Sequence, residues 1–353
     1  MGTRLSLQEF DQALAGWGAA GLTAIAPALM PRGGRFSDQE VVGYRPVTRL
    51  AEFVLDRKSF FSPKETLFPI RETLFRFRDG AAAEPAAAEG AADDRPRLIF
   101  LRPCDRQGFD RLDSIFLRNG PEPDPYYARR RERVKFALIE CTAGFDSCFC
   151  VSMGTNRVAP EQYALAARFA ADAVTLEIRD PELAPALAGL GAPAAFAPEF
   201  VRENRLQVRV PPAEQVTPEL FADPLWREYS QRCIGCGRCN TSCVTCSCFN
   251  MQDVLYDAAG RLGERRRVWT GCHLDGFTAM AGGHEFRKEC GDRMRFKTMH
   301  KINDFQRRFG QPMCVGCGRC EDVCPEYISF ARCVNRLDEV IRKGRPDGES
   351  VSK

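Results

Sequence analysis

At 353 residues the chain is long enough for two or three domains and a sizeable core. Its 50 basic and 47 acidic residues leave a formal charge of +3, which gives no electrostatic signature of a nucleic-acid binder. Seventeen cysteines are many for this length, and they fall in groups with metal-ligand spacing, so they read as ligands in a reducing compartment and not as a disulfide framework.

The N-terminus, Met1-Gly-Thr-Arg-Leu-Ser, lacks the apolar core of a signal peptide, and no apolar run reaches the roughly 18 residues of a membrane span. The expected location is the cytoplasm. Ser6 can cap a helix that carries Phe10, Leu14 and Trp17 on one face. Residues 22–30 read as extended, Pro31-Arg-Gly-Gly34 as a turn, and 41–47 as a returning strand. The Phe-rich segment 53–77 reads as core with solvated charges, and 80–96, rich in Ala, Glu and Pro, as a loop or linker.

The apolar run Arg97–Leu101 predicts a buried strand that ends in Arg102-Pro-Cys104-Asp105, with Asp105 capping a helix through Phe109, Leu112, Ile115 and Phe116. Val134–Ile139 predicts a second strand ending in Glu140-Cys141. Strand, helix and strand imply two parallel strands with a right-handed crossover. Cys104 and Cys141 then lie at the C-terminal ends of neighbouring strands, the edge where open α/β sheets hold ligands. Cys148 and Cys150 follow at once. These four cysteines are a candidate third [4Fe-4S] site, with zinc and buried free thiols as the alternatives. Further on, 160–171 reads as a helix, and 174–178 and 206–210 as strands, with a domain boundary near Pro211-Pro212.

Beyond that boundary the pattern C-x2-C-x2-C-x3-C occurs twice: Cys233, Cys236, Cys239 and Cys243, then Cys314, Cys317, Cys320 and Cys324. This is the spacing of two-cluster bacterial ferredoxins, in which the fourth cysteine of each run ligates the other cluster. The expected sets are Cys233, Cys236, Cys239 and Cys324 for one [4Fe-4S] cluster, and Cys314, Cys317, Cys320 and Cys243 for the second. Gly235, Gly237, Gly316 and Gly318 allow the tight turns and bring N–H groups towards sulfur. A structural zinc site needs two C-x2-C pairs, so the third cysteine of each run is surplus to it. Pro325 follows the second run as expected, whereas Val244 follows the first.

Residues 244–313 make an insertion much longer than a minimal ferredoxin allows. It holds Cys246, Cys248, Cys272 and Cys290, loosely spaced for a further site, and the scattered His273, His284 and His300. The expected fold class is α+β and multidomain: an N-terminal α/β domain followed by a mainly helical, two-cluster ferredoxin-like domain. The expected divisions are 1–79, a linker or loop at 80–96, an α/β domain at 97–212, the two-cluster domain at 213–340, and a polar tail at 341–353.

The Arg-Pro-Cys-Asp element at 102–105, Asp124-Pro-Tyr-Tyr, Cys148-Phe-Cys-Val-Ser-Met-Gly154 and the split pair of cysteine runs resemble the iron–sulfur subunits of anaerobic sulfite reductases and of sulfhydrogenase-type hydrogenases. Within that group they are most similar to the iron–sulfur, electron-transfer family of the anaerobic sulfite reductases, over roughly residues 50–335. The resemblance implies an electron-transfer subunit. One partner would carry flavin and use NAD(P)H, and another would carry siroheme and reduce sulfite to sulfide. It also implies that Cys104, Cys141, Cys148 and Cys150 hold a third cluster. The hydrogenase beta subunit is the alternative, and an iron–sulfur sensor stands behind both, since no helix-turn-helix with a basic recognition helix is present. No G-x-G-x-x-G follows a strand and no catalytic triad or histidine–carboxylate metal spacing is evident, so FAD, NAD and siroheme are expected on other chains and no catalytic residue on this one.

Overall fold

A computed structural model of the chain describes residues 2–34, 38–78, 81–85 and 95–344. Ser6 ends strand β1 (Gly2–Ser6) and begins helix α1 (Leu7–Ala19). Its hydroxyl accepts from the Glu9 N–H, and the Glu9 carboxylate accepts from the Ser6 N–H at 2.7 Å. This reciprocal cap satisfies two otherwise unpaired donors. The helical period then turns Phe10, Ala13, Leu14 and Trp17 to one buried face.

That face rests on an eight-stranded sheet. Its strands are β1, β2 (Thr23–Met30), β3 (Val41–Pro46), β6 (Arg97–Leu101), β7 (Val134–Ile139), β8 (Leu165–Phe169), β9 (Ala173–Ile178) and β10 (Ala192–Ala194). They lie in the order β10-β1-β9-β8-β7-β6-β2-β3. The central pairs β2–β6, β6–β7 and β7–β8 are parallel, and the flanking pairs are antiparallel. Every residue of β6 is buried, as a strand covered on both faces requires. Phe100 points to the α1 side. Ile99 and Leu101 point to the other side, where helix α2 (Pro103–Leu117) supplies Phe109, Leu112 and Phe116. Each such aromatic contributes about 2–3 kcal/mol of burial. The expected strand–helix–strand crossover is therefore present.

Four local readings are corrected. Residues 160–171 form a short turn at Pro160–Gln162 and then β8, because pairing with β7 and β9 overrides the helix propensity of Leu-Ala-Ala. Residues 206–210 pair with no strand among the described residues. Asp105 is not the cap of α2: the helix starts at Pro103, and Asp105 lies buried inside its first turn. Within the expected linker, β5 (Ala81–Pro85) pairs with β4 (Arg71–Arg78), while 79–80 and 86–94 lie outside the described residues.

The second sheet has the order β11-β12-β4-β5, all antiparallel, with β11 (Phe249–Leu255) and β12 (Leu262–Trp269) drawn from the long insertion. The region after 212 is thus not mainly helical throughout, and its hairpin is built onto a strand from the first 79 residues. Arg267 of β12 fastens the joint. It pairs with Glu72 of β4 and with Asp124, which also accepts from the Tyr127 N–H to cap α3 (Pro125–Arg131). The remaining helices are α4 (Arg227–Arg232), α5 (Arg238–Thr241), α6 (Cys290–Met299), α7 (Phe305–Phe309), α8 (Arg319–Asp322) and α9 (Phe330–Lys343). A π turn at His300–Asp304 joins α6 to α7 without a break. The apolar face of α9 packs Val334, Leu337 and Ile341 against Trp226, Met294 and Ile302. No helix of the described residues is long and apolar enough to cross a membrane.

Candidate metal centres

The two cysteine runs form matched loops. Gly235 and Gly237, and likewise Gly316 and Gly318, all have φ between 62° and 72°, the left-handed region open to glycine. In each loop the first of these glycines donates its N–H to sulfur: Gly235 to Cys233 Sγ at 3.5 Å, and Gly316 to Cys314 Sγ at 3.4 Å. The Ile328 N–H donates to Cys324 Sγ at 3.3 Å. Such donors stabilise sulfur that carries negative charge.

Three groups of cysteines result. At site I, Cys233, Cys236, Cys239 and Cys324 wall one cavity, closed by Pro325, Ile328, Phe330 and Met294. These residues come from both runs, and Cys320 of the second run lines the same cavity. At site II, Cys243 lies within electrostatic reach of Cys314, Cys317 and Cys320. Burial and these neighbours push the Cys320 thiol well up, and burial pushes Cys314 up to about 12. A hydrogen bond from Cys246 holds the Cys243 thiol well below its ordinary value, with Lys301 and Thr245 acting in the same direction. At site III, Cys104, Cys141, Cys148 and Cys150 wall a second cavity together with Lys58, Arg102 and Phe145. Cys104 opens α2 and Cys141 follows β7, at the shared sheet edge anticipated from the parallel pair. Burial, then Cys148, pushes Cys150 up to about 12.

Site III shows what its walls are built to receive. Arg102 Nη1 and Asn204 Nδ2 are buried nitrogens with no hydrogen-bond partner among the described residues. Asn204 Oδ1 meanwhile accepts from the Val151 N–H at 2.8 Å and from Cys150 Sγ at 3.5 Å. Two unused donors beside four thiols fit a sulfur-rich anionic group in the cavity. Among the described residues no three His, Cys, Asp or Glu side chains converge closely enough to hold a single metal ion. A tetrahedral zinc needs that convergence, with sulfurs about 2.3 Å from one centre. The cysteines of sites I and III instead stand around a cavity, as corner ligands of a larger group would.

The three sites touch. Cys320, in the site II set, also lines the cavity of site I, and Cys317 also lines that of site III. The loop 147–155 is laid directly on the second run. The Phe149 N–H donates to Gly316 O at 2.8 Å, and Thr155 Oγ1 donates to Val315 O at 2.7 Å. A Cβ at Gly316 would stand 2.6 Å from the Phe149 backbone, and one at Gly318 would stand 2.1 Å from Ser147 O.

The four remaining insertion cysteines do not gather into one set. Asn240 Nδ2 donates to Cys272 Sγ at 3.3 Å and to Cys246 Sγ at 3.6 Å, and Cys248 lies electrostatically close to Cys272. Cys290 lies against Cys233 of site I. His273, read as a scattered histidine, is buried with Nδ1 3.8 Å from Cys233 Sγ, and burial holds its pKa well below the ordinary value.

Sequence reasoning missed the cations. Lys58, Lys64, Lys297, Lys301 and Arg319 are buried or nearly so around the cysteines. Lys64 donates to the carbonyls of Asn240 and Cys246 and sits 4.1 Å from the Trp269 ring centre. Arg319 forms a two-pronged pair with Asp105, at 2.5 and 2.8 Å. The only sequence signal was the i, i+4 spacing of Lys297 and Lys301, which fits an exposed helix face equally well.

Residues 232–328 match the family described as a 4Fe-4S dicluster domain. The chain is also 29% identical over 325 residues to the sulfhydrogenase 2 subunit beta of Pyrococcus furiosus, a span covering 84% of this chain and 88% of that protein. The dicluster match takes in both cysteine runs and the insertion between them. The similarity to that sulfhydrogenase subunit runs along most of the chain, and the dicluster match covers its C-terminal part.

Proposed function

We propose that the chain is the electron-transfer subunit of a sulfhydrogenase-type oxidoreductase complex and holds three [4Fe-4S] clusters, at sites I, II and III. The observation that carries this reading is the contiguity of the three cysteine sets, each outer cavity sharing a wall cysteine with the middle set. A cubane supplies one-electron chemistry when bound. The chain's own residues do the rest. Twelve cysteines hold the corners. The N–H groups of Gly235, Gly316 and Ile328 stabilise ligand sulfur, and apolar walls such as Met294 and Phe330 keep water from site I. The catalytic centre and any hydride-accepting flavin belong to partner subunits in this reading.

The similarity to a sulfhydrogenase beta subunit supports a hydrogenase-type partner over the siroheme sulfite-reducing partner that the motif resemblance ranks first. Purification of the native complex under anaerobic conditions separates them. A nickel-containing large subunit is expected, and a siroheme subunit in its place restores the sulfite reductase assignment.

Iron and acid-labile sulfide on the anaerobically purified chain test the cofactor content. About twelve irons per chain are expected, at four per cubane, and about eight in Cys104→Ser. About eight in both proteins would leave the two runs loaded and reduce site III to structural thiols. Zinc in place of iron would overturn the electron-transfer role.

A further inference from the structure

Helix α6 and the π turn after it carry Lys297 and Lys301 one helical turn apart, so both side chains leave the same face. Both are buried, at 4% and 3% exposure. Lys297 lines the cavity of site I and lies near Cys239 of site I and Cys320 of site II. Lys301 Nζ donates to Thr245 Oγ1 at 2.7 Å, two residues beyond Cys243. The carbonyl of Lys301 accepts from the N–H groups of Met313 and Cys314, which fixes the lysine at the head of the second run. The charged neighbours of Lys301 are Cys243, Cys246, Cys314 and Lys297 itself. Among the described residues no carboxylate pairs with either lysine.

Two buried ammonium groups that repel each other and lack carboxylate partners are strongly disfavoured unless something else there is negative. Thiolates holding an iron–sulfur cluster are that something. The cations elsewhere differ. Arg319 is matched by Asp105, and Lys58 by Asp322 at 2.9 Å, which leaves Arg102 on the wall of site III as a single cation with no carboxylate partner among the described residues. The two lysines therefore bring more uncompensated positive charge to site II, with a share at site I, than the one cation Arg102 brings to site III.

We propose that Lys297 and Lys301 set the order of reduction potentials along the relay and make site II, the middle site, the most easily reduced. This rests on the cluster reading of the three cysteine sets. In the step concerned, one electron passes from a one-electron donor, a reduced flavin or iron–sulfur centre on a partner, to site II. The donor is oxidised, site II gains one negative charge, no bond breaks, and both ammonium groups keep their protons. A fixed cation beside the site favours the reduced form over the oxidised form.

The test is a potentiometric titration of the iron-loaded full chain, followed by low-temperature electron paramagnetic resonance, with dithionite as reductant. In Lys301→Met, one signal is expected to move to lower potential, with at least a tenfold fall in its reduced-to-oxidised ratio at fixed potential, about 59 mV for one electron. The site III signal stays in place, and Lys301→Arg keeps the wild-type profile. Lys297→Met moves two signals, those of sites I and II, and carries the test alone if Lys301→Met loads no iron. Fully loaded variants with unmoved signals, or with all three signals moved together, overturn the assignment of the lysines. Wild-type protein without iron overturns the cluster reading itself.

Discussion

The pair between Asp105 and Arg319 joins two of the proposed sites. Asp105 follows Cys104 in the first turn of α2, and Arg319 lies between Cys317 and Cys320 in the second run. Both are buried, Tyr44 donates its hydroxyl to Asp105 Oδ2 at 2.9 Å, and Ser59 Oγ accepts from Arg319 Nη2 at 2.8 Å. Breaking a buried, hydrogen-bonded pair strands the surviving charge, which costs about 3–5 kcal/mol. Arg319→Leu is therefore expected to lower the melting temperature markedly and to release iron from sites II and III while site I stays loaded. A thermal scan with iron analysis checks both effects, and a variant as stable as wild type with full iron would remove the pair from the account of how these sites are held. Asp105 also shows the limit of local reading. Its type and position suit an N-cap, yet its partner lies more than two hundred residues away, where no local pattern reaches.

Among the elements, the cysteine loops were the most legible part of the chain, because ligand spacing and left-handed glycines are local requirements written in adjacent residues. The β6–α2–β7 unit was legible for a similar reason: apolar runs of strand length flank an amphipathic stretch, and only a parallel pair fits. The hairpin β11–β12 was not legible. Arg265-Arg-Arg267 reads as a solvated charge run, whereas Arg267 is buried and pairs with Glu72 and Asp124, which makes it a fastener between regions distant in sequence. Strand β8 was misread because its Ala-rich sequence suits a helix and only the neighbouring strands make it extended. The loop 147–155 offers an element-scale test. Alanine at Gly316 would need an unfavourable positive φ and would push a Cβ against the Phe149 backbone. The expected cost is at least about 2 kcal/mol, since both strain and overlap apply. Sites II and III should loosen with it, since Gly316 turns the loop of the one and backs the other, seen as loss of up to about eight irons. Gly21→Ala, also at positive φ but with open space around its Cβ, is the control and should keep all its iron.

At the scale of the whole molecule, charge links the fold to the cofactors. The polypeptide has a formal charge of +3, and part of its positive charge is buried beside cysteine sulfur. Burial pushes most of the cysteine thiols in these sites up, so in the metal-free chain they favour the neutral form. Cluster binding replaces neutral thiols by thiolates, and each all-thiolate cubane brings roughly two negative charges to the chain. Three of them outweigh the formal +3 and leave a net negative protein. Anaerobic isoelectric focusing should therefore place the loaded chain on the acidic side of neutrality and the metal-free chain near the sequence value of 8.1. The order of the two bands is the informative result. A loaded protein that focuses with the metal-free one would mean that the bound metal brings no net negative charge, which is the behaviour of ions held by neutral ligands and incompatible with twelve cysteine thiolates. An acidic shift in the loaded protein that is lost in steps as Cys104, Cys314 and Cys233 are replaced one at a time by serine would assign the charge to the three sites separately.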